Sequence, residues 1–117
     1  KWAPKVKDAP ADVKIDGTVA DGQAVAVALT ASEAMKVLTS PALANVDLVV
    51  TYDGTKLVAG TDYTVTVAGS TITVQTIKLV KVGKVLKIET AAAVNYLADN
   101  ADNKLVSYSK EWTIKAN

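Results

Sequence analysis

Five consecutive residues, Asp99-Asn100-Ala101-Asp102-Asn103, gather more side-chain oxygen than any other stretch of the chain. Calcium takes six to eight oxygen ligands and favours such clusters, so this loop is the candidate cation site. The glycine and distal bidentate Glu of an EF-hand loop are missing. A solvated turn, in which Asx side chains bond their own backbone, accounts for the same residues. No other constellation has comparable content. The chain has no His and no Cys, which removes the commonest general base and the strongest nucleophile. Ser70 and Ser107 have no histidine to activate them, zinc lacks ligands, and no glycine-rich phosphate loop occurs. The carboxylates, three Glu and nine Asp, show no spacing that brings two into one pocket. We therefore assign no catalytic, cofactor-binding or metal residue and expect a noncatalytic protein.

Composition narrows the partners. Net charge is +1, and acids and bases are interleaved, which leaves no electrostatic footprint for nucleic acid. All basic residues are lysines, and arginine is the residue suited to bidentate phosphate recognition. No apolar run reaches the ~18 residues of a membrane helix. The 117 residues fit one domain, and a chain of that size buries roughly 65% of its unfolded surface. With no Phe and an aromatic share of 5%, the core must come from Val, Ala, Leu and Ile, which suits sheets.

The elements that would position any site are strands. Residues 46–75 hold short Val/Thr/Tyr/Ile runs punctuated by Asp53-Gly54, Gly60-Thr61 and Ala68-Gly69-Ser70. Residues 63–67 and 71–74 fit a hairpin closed by the three-residue turn 68–70. Alternation predicts a first strand in 12–19, with Val13 and Ile15 inward. Residues 23–30 form a central strand, its Ala24, Ala26 and Ala28 face closely approached by another layer. Further strands fall in 84–93 and in 105–115, the latter with Val106, Tyr108, Trp112 and Ile114 on one face. Thr30 and Glu33 have the form of a capping box, predicting a short helix over 30–38 ended by Pro41. Residues 77–82 are a connection or a short strand, and 96–104 a polar loop. Residues 1–11, with two prolines, read as an extended arm or linker, its Trp2 on the domain edge or the whole arm added to a neighbour's sheet. The domain proper is 12–117. The expected fold is an all-β, immunoglobulin-like sandwich of about seven to nine antiparallel strands with one short helix.

The string Leu57-Val58-Ala59-Gly60-Thr61-Asp62-Tyr63-Thr64-Val65, followed by Gly69 and Thr71-Ile72-Thr73-Val74, resembles a hairpin of bacterial extracellular Ig-like modules. It is similar to pilin shaft domains of Gram-positive fimbriae, to S-layer-type repeats and to X2-type modules of cellulosomal scaffolds. The likeness covers about 30 residues and implies an extracellular, cell-surface structural module: a subunit or repeat of an S-layer, pilus or other filament. Its partners would be copies of itself or neighbouring surface domains. The alternative is a spacer or carbohydrate-binding accessory module of a secreted protein, with carbohydrate as its partner. Fimbrial domains of this kind often carry a Lys–Asn isopeptide bond, with the lysine in the first strand and the asparagine in the last. Here Lys14 falls on an outward face, Asn117 is the late asparagine, and Lys110 is the lysine that alternation places on an apolar face.

Overall fold

A computed structural model of the chain describes residues 3–117; Trp2 lies outside them. Two four-stranded sheets face each other across one apolar core. The first has the order β1 (Val6–Asp8), β3 (Ala26–Ala31), β8 (Thr71–Thr76) and β7 (Tyr63–Ala68). The second has the order β11 (Ser109–Thr113), β9 (Val85–Thr90), β5 (Leu48–Tyr52) and β6 (Thr55–Lys56). Both are antiparallel. These orders match the ABED and GFC sheets of an immunoglobulin-type sandwich with a C′ strand added. Two ribbons complete it: β2 (Lys14–Ile15) runs parallel to β12 (Lys115–Ala116), and β4 (Met35–Val37) pairs with β10 (Leu97–Asp99).

Alternation sets the core. Val27 and Leu29 on β3, Ile72 and Val74 on β8, and Val65 on β7 meet Leu48, Val50, Leu86, Ile88 and Trp112 of the opposite sheet in a single buried cluster. Each fully buried aliphatic side chain contributes about 1.5–3 kcal/mol, and Trp112, Tyr63 and Tyr52 supply the aromatic bulk beside these two facing rows. Turn chemistry fixes the registers. Asp53 and Gly54 both have positive φ (50° and 81°), the two-residue hairpin geometry that an Asp-Gly pair favours.

Several expectations are corrected. The helix predicted over 30–38 does not form. Thr30 pairs with Thr71 inside the β3–β8 ladder, so it caps nothing, and Met35–Val37 is a strand whose Met35 is buried. A 3₁₀ helix occupies Pro41–Val46 instead, and Pro41 opens it rather than ending a helix, because its missing N–H falls where no acceptor is needed. The hairpin turn is Gly69-Ser70, two residues, with Ala68 opposite Thr71 and positive φ (58°) at Gly69 alone. Within 12–19 only Lys14–Ile15 is strand, although Val13 and Ile15 are buried as expected. Ala24, Ala26 and Ala28 face solvent, because among the described residues no further layer covers the first sheet. In the 96–104 stretch, Leu97–Asp99 is a strand, all three residues buried. Val106 is exposed and Leu105 buried, because the chain before Ser109 is irregular and shifts the alternation by one. Residues 77–82 form a connection touching Gln23 through Val80.

The stretch read as an arm supplies β1, antiparallel to this chain's own β3. Lys5 O accepts the Ser32 N–H and Pro4 O accepts the Val106 N–H, so residues 4 and 5 lie at the β4–β10 end of the sandwich. Asn117 N–H donates to Ile15 O, and Gly83 N–H to Ile114 O, at the other end. The run from Gln23 to Ser32 connects the two ends and spans ~30 Å at about 3.3 Å per residue. The molecule measures 46 × 25 × 22 Å, and residues 4–5 and Asn117 lie toward opposite poles of this elongated body.

Candidate functional site

The oxygen-rich loop closes the β4–β10 ribbon, and its carboxylates do different work. Asp99 is buried, and its Oδ1 accepts the backbone N–H groups of Ala101 and Asn103, both at 2.9 Å. Its Oδ2 accepts the Asn103 side-chain amide at 3.0 Å. That amide, then the backbone N–H groups and a hydrogen bond with Glu33, hold the Asp99 carboxyl below the usual carboxylate range against the opposing effect of burial. Asp102 sits in the left-handed region (φ 67°) and its carboxylate meets Lys36 Nζ at 2.6 Å. The Asp99 oxygens thus shape the loop's own turn while Asp102 ties it to β4, and among the described residues no three acidic, His or Cys side chains converge as metal ligands.

A second buried carboxylate, which nothing in the sequence singled out, ties the same end together. Asp47 follows the 3₁₀ helix and accepts the backbone N–H groups of Asn95, Tyr96 and Leu97 at 3.0, 2.7 and 2.7 Å. Its backbone carbonyl accepts the Ala91 N–H. Three charge-assisted bonds to one carboxylate fix where β10 begins.

Lys110 lies on the same face of β11 as Trp112, as alternation predicts, but its ammonium is not isolated. Nζ donates to Pro10 O at 3.3 Å and lies 5.4 Å from the centre of the Trp112 ring. Trp112 Nε1 donates to the same carbonyl at 2.8 Å. Lys14 and Asn117 are both exposed on the paired ends of β2 and β12. These residues do not form the buried amine that an isopeptide crosslink requires.

Aromatic side chains serve the interior. Tyr63 OH donates to Leu48 O at 2.5 Å, and Tyr52 OH accepts the Lys81 N–H at 2.9 Å. Tyr63, Tyr52 and Trp112 are buried, and Tyr96 and Tyr108 half-buried, so the described residues present no flat aromatic platform for a sugar ring. The outer face of the first sheet carries Ala26, Ala28 and Thr30 beside Thr71, Thr73 and Gln75, then Thr64, Thr66 and Ala68, with no charge in the array. Beside β7 a groove of about 660 Å³ is lined by Met35, Val37, Pro41 and Thr64–Val67. Asn45 Oδ1 closes part of that strand edge by accepting the Val65 N–H at 2.6 Å.

No protein-family model matches the chain, and no curated protein matches it. Solved structures do. The N-terminal part of the bacterial S-layer protein SbsC superposes with a TM-score of 0.62 at 24% identity, covering 97% of this chain and 24% of that one. The longer S-layer fragment rSbsC(31-844) gives 0.61 at 23%, covering 96% of this chain and 14% of that one. An IG27 protein domain gives 0.52 at 12%, covering 100% and 97%. The chain is an immunoglobulin-like β-sandwich. It spans about a quarter or less of the length of the two S-layer chains it resembles, and the likeness at these identities is one of fold.

Proposed function

We propose that this chain is a noncatalytic structural module of an extracellular, cell-surface assembly such as an S-layer, pilus or other filament. The observation that carries this reading is the placement of residues 4–5 and Asn117 toward opposite poles of a 46 Å body. A domain built this way adds length when joined to others in series, and its partners are copies of itself or neighbouring surface domains. The fold likeness to portions of S-layer chains supports the same reading. So does the absence of His and Cys, which leaves the interior polar groups to structural hydrogen bonds. Calcium at 99–103 belongs to the proposal only as a ligand that would have to displace the bonds Asp99 already makes. A spacer in a secreted protein would use the same end-to-end geometry, whereas carbohydrate binding has no exposed aromatic surface to use among the described residues.

Gold-labelled antibodies raised against the chain, applied to intact cells of its source, provide the test. Dense, regularly spaced surface label is the expected result. Label confined to the cell interior, or to released soluble protein, would overturn the reading.

A further inference from the structure

The first sheet has two edges, and they differ. At β7 the edge is covered by the 3₁₀ helix, and Asn45 accepts the Val65 N–H. At β1 the edge strand is three residues long, and its pairing with β3 slips between Val6 and Asp8. Open space flanks it on both sides. An open groove of about 490 Å³ runs along Asp8–Pro10, Lys14, Ala26 and Ala28, and one of about 250 Å³ lies between Val6–Ala9 and Tyr108 and Lys110. Tyr108 lines the smaller one, and its hydroxyl is buried with no hydrogen-bond partner among the described residues. A longer edge strand with an unbroken register would cover more of these grooves.

The chain beyond β1 is held differently. Pro10 O receives both Trp112 Nε1 and Lys110 Nζ, and Asp12 Oδ1 receives Lys115 Nζ at 2.9 Å. Val13 and Ile15 are buried, and β2 is paired with β12. The chain is therefore pinned from Pro10 onward by side-chain bonds and a paired strand, while among the described residues the hydrogen bonds of residues 3–9 to the rest of the fold run to β3, Ser32 and Val106, with Pro4 buried and Val6 and Ala9 packed at the core's edge. Proline at the pin has a fixed φ and no N–H, so no ladder bond runs across it to resist separation of the two parts.

We propose that residues 3–9 are an exchangeable strand, which leaves β3 of its own chain, pivots at Pro10 and takes the same place on β3 of a second copy. The occupant is identical in sequence, so each contact of the closed form has its counterpart in the exchanged form: Val6 opposite Ala31, Asp8 opposite Thr30, Lys5 against Ser32. Only the hinge differs between the two. A vacated β3 edge next to the core is a strand-accepting site, and the covered β7 edge cannot compete for it. Reciprocal exchange closes a dimer; exchange in one direction along a row links successive copies. Exchange is a property of the isolated chain and does not depend on where that chain is located.

The chain has no cysteine, which makes crosslinking clean. Val6→Cys and Ala31→Cys are made as separate variants, mixed without denaturant over a concentration series, and oxidised gently. Exchange predicts a disulfide heterodimer that grows with concentration and exceeds the homodimer of either variant alone. A second pair, Lys5→Cys mixed with Ser32→Cys, replaces two exposed side chains and guards against a packing defect at the buried Ala31. The V6C/A31C double variant reports the closed pairing within one chain. Heterodimer from either mixture supports exchange. Intramolecular closure of the double variant, with both mixtures yielding no heterodimer above the homodimer level, would overturn it.

Discussion

The Asp47 carboxylate accepts the Leu97 N–H at 2.7 Å across a sequence separation of 50 residues. With the bonds to Asn95 and Tyr96, it joins the segment after the 3₁₀ helix to the start of β10, and so positions the whole β4–β10 end of the sandwich. Removing it strands three backbone donors, one of them fully buried. Asp47→Ala is expected to destabilise the fold by about 3 kcal/mol or more, since bonds to charged groups are each worth about 1.5–3 kcal/mol. Asp47→Asn keeps the acceptor oxygen but loses the charge and should cost less. Urea unfolding of the three proteins checks the order; equal midpoints for wild type and Asp47→Ala would mean that the segment is held by something else.

Acid should loosen both ends of the sandwich. Asp99, Asp16 and Asp12 all have carboxyl groups held below the ordinary value of 3.8, by the Asn103 amide, the Thr18 hydroxyl and Lys115 respectively. A depressed native pKa means the unfolded state takes up protons first. The stabilisation is fully present above pH 3.8 and is lost as pH falls through the depressed native values. Thermal melting between pH 7 and pH 2 should therefore show a plateau followed by a decline beginning near pH 4. In Asp99→Asn the decline should be shallower and the plateau lower. A wild-type melting temperature that is flat to pH 2 would contradict this assignment.

The strands of residues 46–76 were legible because two local signals agreed there: period-two alternation of branched residues, and turns such as Asp53-Gly54 whose backbone only a few residue types adopt. Where signals were short, they misled. Ala34, Met35, Val37 and Leu38 have the spacing of a helix of about two turns, yet Met35–Val37 is strand, and the deciding facts are bonds to distant partners: Met35 N–H to Gly69 O, and β4 to β10. Leu97–Asp99 was hidden in a polar string because its burial depends on Asp47, which looks like any other aspartate in the sequence. The alanine face of β3 shows the same limit. Small side chains permit close approach by another layer, but they do not supply one. The candidate site was half visible: Asp99 drew attention for its oxygens, yet those oxygens bond the loop itself.

Gly22 and Gly83 offer a matched pair, both at φ +88°. A Cβ at Gly83 would meet nothing, so Gly83→Ala incurs only the left-handed backbone strain, about 1 kcal/mol. At Gly22 a Cβ would run into the Val80 carbonyl oxygen, which accepts the Gln23 N–H and belongs to backbone that cannot rotate away. Gly22→Ala is expected to cost about 3 kcal/mol, combining strain with the loss of the Gln23–Val80 bridge. Equal losses in the two variants would show that the bridge yields freely.

Trp112 combines a buried ring with a single polar duty, the 2.8 Å bond from Nε1 to Pro10 O. Trp112→Phe keeps an aromatic ring in the core and removes the donor. Pro10 O then has only the longer bond from Lys110 Nζ, at 3.3 Å, and the cation–ring contact weakens with the smaller π face. The bond itself is worth about 1 kcal/mol and the smaller ring leaves unfilled volume, so a total loss of about 2 kcal/mol is expected. The location of the effect is the sharper test, because Pro10 separates β1 from the pinned segment after it. Amide hydrogen exchange should speed up at Lys115 and Asn117, whose N–H groups donate to Val13 O and Ile15 O, far more than in the β3–β8 ladder. Uniform acceleration throughout the sandwich would mean that Trp112 acts through core volume alone, and that the carbonyl of Pro10 is held by the surrounding chain rather than by the indole.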